Sequence, residues 1–192
     1  MNSFILRMCF VFLFSGLIGF GSLSAESRRT HCLKESCFSL HPSLEGKGVD
    51  LRGMALLRYW GFRVYSAALF LRTGDSPLDD VPKAFTLKYH RDFSAEDFIT
   101  SGREVAQKNR DVDFKTVEAG FKQMDKLYRA VKQGDAYTLT YFPGQGTSLY
   151  LNDEYLGTVP GADFAKSYFG IWLSEEYSLD SGFTSELLNV AG

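Results

Sequence analysis

The feature that most constrains the fold is a long run of apolar and aromatic residues at 49–71, which Gly53 and Gly61 interrupt. Aliphatic, β-branched and aromatic residues favour strands, and a glycine between two apolar runs is typical of a turn. The run therefore predicts two strands, at about 50–60 and 62–72.

The second of these strands alternates so that both of its faces are apolar. One face carries Tyr65, Ala67, Leu69 and Leu71, and the other carries Val64, Ser66, Ala68 and Phe70. A strand with one face in water normally alternates apolar and polar residues. We therefore expect this strand to be covered on both sides.

Arg58 is the one charged residue in the apolar stretch 55–60 of the first predicted strand. Burying a charge is costly unless it is paired, so a partner is expected. That partner is either a carboxylate of the chain, such as Asp113, Asp163 or Glu118, or a group on a ligand. The same two alternatives apply to Arg91, at the end of the next predicted strand.

The rest of the chain alternates between strands and amphipathic helices. Residues 94–97 resemble a capping box, and apolar residues at spacings of three and four predict a long helix at 113–131. The further predicted elements are a strand at 84–91, a helix at 94–108, strands at 137–142, 147–151 and 155–159, and helices at 163–173 and 185–190. This order predicts one α+β domain at 48–192, with helices packed on an antiparallel sheet.

Residues 1–25 are expected to be a signal peptide. Arg7 precedes an apolar stretch at 8–20 that is too short to span a membrane, and small residues lead up to Glu26. Cleavage there would send the chain to the periplasm or out of the cell, and it leaves an N-terminal arm at 26–47.

The charge balance argues against several kinds of partner. The chain has 21 Lys and Arg residues and 23 Asp and Glu residues, which gives a net charge of −2. No stretch concentrates basic residues, so nucleic acids and anionic membrane surfaces are poor candidate partners. No second apolar stretch is long enough to predict a transmembrane segment.

Two cysteines, Cys32 and Cys37, remain once a leader containing Cys9 is removed. In an oxidising compartment an isolated pair is most simply a small local disulfide. Because His31 and His41 lie nearby, a zinc site is the alternative, although the spacing is not a standard one.

The sequence lacks the usual motifs of cofactor and nucleophile sites. It has no glycine-rich phosphate loop, no His-Glu pair at metal-binding spacing and no nucleophile elbow. Two of its three histidines lie in the N-terminal arm, and the third is His90. We therefore expect no metal and no cofactor in the domain.

The remaining candidates for chemistry lie in or beside the predicted strands. They are Arg58, Tyr65, Ser66, Tyr89 and Arg91. An arginine binds a carboxylate with two parallel hydrogen bonds, and a tyrosine hydroxyl adds a third. An apolar cleft with such a polar end suits an amphiphile resembling a fatty acid.

Four segments together resemble the chalcone isomerase-like family, in particular its secreted bacterial members. They read LRYWGFRVYSAALF at 57–70, LKYHR at 87–91, a Gly-Asp pair followed by LTYFP and Gly-Thr within 134–147, and FGIWL at 169–173. The resemblance covers about 48–188. It implies an open-faced β-sandwich, with a large antiparallel sheet, helices on one face and a ligand cleft.

The resemblance also implies roles for particular residues. Arg58 and Tyr65 fall near the family's Arg and Tyr that hold the polar end of a ligand, and Arg52 is a second candidate for the Arg. Ser66 falls near a catalytic Thr of the isomerases. Phe93 stands where the isomerases have a Tyr before the first helix, and this loss argues against chalcone cyclisation.

Three hypotheses for function follow from these observations. The first is a non-catalytic, secreted or periplasmic binding protein for a carboxylated amphiphile. The second is a ligand-free structural or partner-binding protein on the same scaffold, because fold does not fix function. The third is an isomerase of the intramolecular-lyase type, with Arg58, Tyr65 and Ser66 acting on a carbonyl.

Overall fold

A six-stranded antiparallel sheet organises the computed structural model, which describes residues 29–188. An N-terminal hairpin precedes it, made of β1 (Thr30–Leu33) and β2 (Ser36–Ser39) and followed by a 3-10 turn at Pro42–Leu44. The sheet contains β3 (Asp50–Tyr59), β4 (Phe62–Leu71), β5 (Lys83–Tyr89), β6 (Ala136–Phe142), β7 (Gly146–Leu151) and β8 (Glu154–Val159). The helices are α1 (Ala95–Ala106), α2 (Phe114–Asp125), α3 (Ala162–Leu173) and α4 (Ser181–Leu188).

The strands follow one another across the sheet in chain order, from β3 to β8. Helices α1 and α2 are inserted between β5 and β6, yet these two strands still pair directly and antiparallel. Within β4, Tyr65 pairs with Tyr89 of β5, and Ala67 pairs with Leu87. This register brings the aromatic and aliphatic residues of neighbouring strands onto the same face.

All four helices pack on one face of the sheet, which confirms the predicted α+β open-faced sandwich. Helix α1 begins at Ser94, whose hydroxyl accepts from the Asp97 N–H while the Asp97 carboxylate accepts from the Ser94 N–H, as the capping box predicts. Helix α3 is buried along most of its length and contacts both α1 and α2. The main core therefore lies between the helices and the sheet.

The opposite face of the sheet is also covered in part. A second core cluster joins Phe38 and Leu44 of the N-terminal segment to Ala68 and Phe70 of β4. This is the two-sided cover that the alternation of β4 predicts. The segment at 26–47, predicted to be an arm outside the domain, therefore contributes to the core along its described part.

The structure differs from several of the expected boundaries, and three of these differences concern α2, β5 and α4. Helix α2 ends at Asp125, and Val131 beyond it forms a bridge with Phe93 instead of extending the helix. Strand β5 ends at Tyr89, so Arg91 lies in a loop. Helix α4 begins four residues earlier than expected, and the predicted residues 189 and 190 lie outside the described part of the chain.

Among residues 29–188, none of the helices is both long and apolar enough to cross a bilayer. The predicted signal peptide lies outside this part of the chain.

Candidate functional site

A cavity of about 430 Å³ lies between the sheet and the helices. This volume is within the range of small-molecule sites. The sheet contributes Leu57, Val64, Tyr65, Leu87, Tyr89, Tyr137, Leu139 and Leu149, and the helical side contributes Phe98, Gly102, Tyr128, Tyr168, Ile171, Trp172 and Leu179. The walls are thus aliphatic and aromatic, and their polar atoms are mainly tyrosine hydroxyls.

The hydroxyl of Tyr65 is the most informative polar atom in this cavity. The side chain is 6% exposed, and its hydroxyl has no hydrogen-bond partner within the described residues. Burial raises the pKa of Tyr65 well above its ordinary value; the Trp172 indole opposes part of that rise, although it does not reach hydrogen-bonding geometry. Because leaving a buried polar group unpaired costs free energy, this hydroxyl is available to a ligand.

Tyr89 lies beside Tyr65, with ring centroids 5.9 Å apart and nearly perpendicular planes. Burial raises its pKa well above the ordinary range for a phenol, so it stays protonated at neutral pH. Its hydroxyl makes no hydrogen bond to any described residue. Tyr65 and Tyr89 therefore give the cavity two protonated phenols that can donate to an acceptor.

The other tyrosines of the cavity already have partners. The hydroxyls of Tyr128 and Tyr168 are bonded to each other. The Tyr137 hydroxyl accepts from the Arg129 N–H at 2.8 Å and donates to the Arg129 carbonyl at 2.8 Å. These three side chains form part of the cavity wall. Because their hydroxyls are already hydrogen-bonded, Tyr65 and Tyr89 are the cavity tyrosines that can bond to a ligand.

Charged residues surround the mouth of the cavity, and one of them, Arg91, forms no ion pair within the described residues. The Asp92 carboxylate is held by Lys132 Nζ at 2.8 Å and by the Gln133 N–H at 2.9 Å. The Asp97 carboxylate accepts from the N–H and the hydroxyl of Ser94, and these bonds lower its pKa. Arg91 is exposed and forms no ion pair with any described residue.

Arg91 is held at the mouth by an aromatic ring. Its guanidinium carbon lies 5.6 Å from the centroid of the Phe93 ring, within the range of a cation–π contact. The alternative that Arg91 pairs with Asp113, Asp163 or Glu118 is wrong for the described structure, since no such ion pair forms. Arg91 therefore presents, beside an apolar cavity, a guanidinium that contacts the Phe93 ring and helps to lower the pKa of Asp97 but forms no ion pair.

Arg58 does not lie where the sequence suggested. The expectation of a buried charge is wrong, because Arg58 is exposed near the end of β3, directly opposite Arg63 of β4. It does not line the cavity, and it forms no ion pair with a described carboxylate. The apolar run continues past the covered part of the sheet, and Arg58 sits in that extension.

Ser66 lies on the face of the sheet away from the cavity. Its hydroxyl is hydrogen-bonded to His90 Nε2 at 2.8 Å, beneath the N-terminal hairpin. Because side chains alternate along a strand, Ser66 cannot share a face with its neighbour Tyr65. The third hypothesis, in which both act on one substrate, is therefore not supported by this geometry.

Arg52 lies at a β-bulge between Leu51 and Gly53, half-buried and outside the cavity lining. Of the six predicted ligand-binding residues, the structure thus brings together Tyr65, Tyr89 and Arg91. It separates Arg52, Arg58 and Ser66 from them.

The cysteines and histidines of the N-terminal segment do not form a metal site. Cys32 and Cys37 face each other across the β1–β2 hairpin as a disulfide. The part of the chain at 29–188 contains no cluster of three or more potential metal ligands.

Most of the residues that form the cavity wall were not among the predicted site residues, and Phe98 and Trp172 are two aromatic examples. Phe98 stacks on Tyr128, with ring centroids 5.2 Å apart, and Trp172 closes the wall beside Tyr65. Phe93, the residue that replaces the isomerase tyrosine in the resemblance, also lines the cavity and offers no hydroxyl there. The signal available in the sequence was the large number of aromatic residues on helices that face the sheet.

Comparison with known proteins gives the family. A profile described as chalcone isomerase-like matches residues 38–189. The fatty-acid binding protein AtFAP1 of Arabidopsis thaliana has a similar structure, with a TM-score of 0.60 over 83% of this chain and 96% of that chain, at 14% sequence identity. This likeness establishes the fold. No curated protein sequence matches the chain.

Proposed function

The chain belongs to the chalcone isomerase-like family, and on that basis we propose that it is a non-catalytic binding protein for a carboxylated amphiphile such as a fatty acid. The observation that carries the proposal is an apolar cavity that contains one buried hydroxyl without a partner, a second tyrosine hydroxyl beside it, and an arginine without an ion pair at the mouth. Tyr65 and Tyr89 supply the hydroxyls, and Arg91 supplies the charge at the mouth.

The arrangement matches the chemistry of an amphiphile. An alkyl chain buried among Leu and aromatic side chains gains about 0.8 kcal/mol per methylene. The carboxylate would lie toward Arg91, because Asp92 and Asp97 at the same mouth are already committed to other partners. The similarity to a plant fatty-acid binding protein supports this class of ligand.

The proposal includes a location in the periplasm or outside the cell, because residues 1–25 have the pattern of a signal peptide. This location predicts processing at Glu26, which can be checked by N-terminal sequencing of the protein purified from its native source. Recovery of a chain that still carries residues 1–25 would contradict it.

Palmitate binding tests the proposal directly. Trp172 lines the cavity and Trp60 is exposed, so a Trp60→Phe background isolates Trp172 as a fluorescent reporter. We expect palmitate to change Trp172 emission and to appear as a mass shift in native mass spectrometry. Arg91→Ala should weaken palmitate binding by about tenfold and leave the methyl ester unaffected, because a charged hydrogen bond contributes about 1.5–3 kcal/mol.

Two matched variants sharpen this test. Tyr65→Phe removes an unpartnered hydroxyl, so it should weaken palmitate binding without lowering the melting temperature. Arg110→Ala removes an exposed arginine outside the cavity lining and should change nothing. If palmitate shifts neither Trp172 emission nor the mass of the folded protein, the binding hypothesis is wrong.

A further inference from the structure

The tip of the β3–β4 hairpin exposes three large aromatic side chains. Tyr59 is 67% exposed, Trp60 84% and Phe62 70%. Tyr59 and Phe62 are paired across the hairpin, and Trp60 and Gly61 form the two-residue turn between them. Large apolar side chains grouped on an exposed tip are unusual in a monomeric protein and mark a contact surface.

The turn itself gives no structural reason for a tryptophan. Trp60 has φ of 51° and Gly61 has φ of 79°, the two positive values typical of a type I′ hairpin turn. Asn-Gly is the preferred sequence for this turn, whereas a bulky residue at positive φ is strained. Because the Trp60 side chain contacts little besides Tyr59, packing does not repay that strain.

The charges beside the tip are predominantly positive. Arg58 and Arg63 lie directly opposite each other on β3 and β4, a like-charge pair that destabilises a hairpin. Glu35 neutralises Arg63, while Arg58 has no described partner. A surface hollow of about 590 Å³ next to Phe62 adds Lys88 and Arg91 to Arg63, with Glu35 as its one carboxylate.

We propose that this hairpin tip docks the protein on the surface of a phospholipid bilayer, with its aromatic rings at headgroup level and its arginines on lipid phosphates. Trp and Tyr are enriched at that depth because one end of each ring is apolar and the other polar. Arginine binds phosphate oxygens in bidentate fashion. The net charge of the whole chain opposes such binding, but the charge that faces the bilayer is local and positive.

Docking of this kind would bring the cavity to the lipid. Leu57 and Val64, each two residues from the aromatic tip, line the cavity, and Arg91 belongs both to its mouth and to the basic hollow. An amphiphile could then pass between the bilayer and the cavity without crossing water. This consequence rests on the proposed function, whereas the docking itself does not.

Vesicle flotation tests the docking with the chain processed at Glu26. We expect wild-type protein to float with vesicles of equal parts phosphatidylcholine and phosphatidylglycerol. In a Trp172→Phe background, which leaves Trp60 as the reporter, emission should shift to the blue and be quenched by lipids brominated on their acyl chains. Arg58→Ala should weaken partitioning about fivefold on these vesicles and leave pure phosphatidylcholine unaffected.

Trp60→Asn is the decisive variant, because it introduces the residue that the turn prefers. It should lose vesicle binding by at least about tenfold while the melting temperature stays equal or rises. Tyr155→Ser, which removes another exposed aromatic side chain away from the tip, serves as the matched control and should float like the wild type.

Two results would overturn the proposal. One is flotation of wild-type protein no better than that of Trp60→Asn. The other is a wild-type oligomer in sedimentation that Trp60→Asn dissociates, since the tip would then be a protein interface. Palmitate binding by Trp60→Asn, measured by native mass spectrometry, separates a failure of docking from a failure of the ligand proposal.

Discussion

Lys83 is a charged residue in a buried environment, although an ammonium group is normally hydrated. It is 2% exposed, and its ammonium donates to the carbonyls of Pro77 at 2.7 Å and Asp79 at 2.6 Å. The rings of Tyr141 and Phe169 lie 5.3 and 5.4 Å from Nζ. Burial lowers the pKa of Lys83 to about 8, although the nearby carboxylates of Asp79 and Asp80 oppose the shift.

This lowered pKa predicts a stability that rises with pH. Between pH about 8 and about 10.5 the unfolded chain keeps the Lys83 proton and the folded chain loses it, so the free energy of unfolding should increase by up to roughly 3 kcal/mol. Urea denaturation at several pH values up to about 9.5, where roughly 2 kcal/mol of this increase should be present, avoids the tyrosine ionisation that acts in the opposite direction.

The control for this prediction is a pair of lysine variants. Lys83→Met should flatten the pH profile, whereas Lys115→Met, at an exposed helix position, should keep the wild-type slope. A wild-type profile that is flat over this range would show that Lys83 is buried without a shifted pKa.

At the scale of the element, strands were easier to predict than sites. The alternation in β4 fixes which residues share a face, so Tyr65 and Ser66 point in opposite directions and cannot belong to one site. The helices cover only part of the sheet, and which part depends on segments distant in sequence. Arg58 lies beyond the covered part and is therefore exposed. The prediction of a helix at 113–131 is too long, because Tyr128 and Val131 continue the apolar spacing after the helix has ended at Asp125.

The docking of α4 on β3 depends on one glycine. A Cβ on Gly53 would lie 1.9 Å from the carbonyl oxygen of Leu187, so α4 approaches the strand closely only without a side chain there. We expect Gly53→Ala to displace α4, loosen Phe183 from Tyr65 and lower the free energy of unfolding by about 1–3 kcal/mol.

Gly102→Ala is the matched substitution for that test. Its Cβ would meet Ile171 at 3.6 Å, an ordinary contact, and an alanine inside α1 should stabilise the helix by up to about 1 kcal/mol. Thermal denaturation of both variants gives the comparison. Equal melting temperatures for Gly53→Ala and the wild type would mean that α4 is not packed as described.

The N-terminal hairpin is held by its disulfide. Closing the short loop between Cys32 and Cys37 is expected to stabilise the hairpin by about 2 kcal/mol in the chain-entropy treatment. A Cys32→Ser, Cys37→Ser double variant should lose up to that amount and become sensitive to proteolysis near Lys34, with the sheet intact by circular dichroism. Identical proteolysis of the two proteins would contradict this role.

At the scale of the whole molecule, the two faces of the sheet are covered by different parts of the chain. The helix side carries the cavity, and the other side carries a small buried cluster in which Phe38 and Leu44 pack with Phe70 and Ala84. The sequence predicted that both sides are covered, but not by what, because the segment at 26–47 has few apolar residues and no clear period. Its contribution became visible only through long-range packing.

This division predicts the effect of removing the N-terminal segment. A chain that begins at Gly48 loses the buried side chains of Phe38 and Leu44, which are 3% and 0% exposed. At about 1.5–3 kcal/mol for each, the free energy of unfolding should fall by roughly 3–6 kcal/mol, and the newly exposed Phe70 should bind the dye ANS. Leu44→Ala should reproduce about 2–5 kcal/mol of this loss, whereas Leu179→Ala, at a position that is 41% exposed, should cost less. Urea denaturation of the three variants measures these differences, and a truncated chain as stable as the wild type would show that the helix-side core alone sustains the fold.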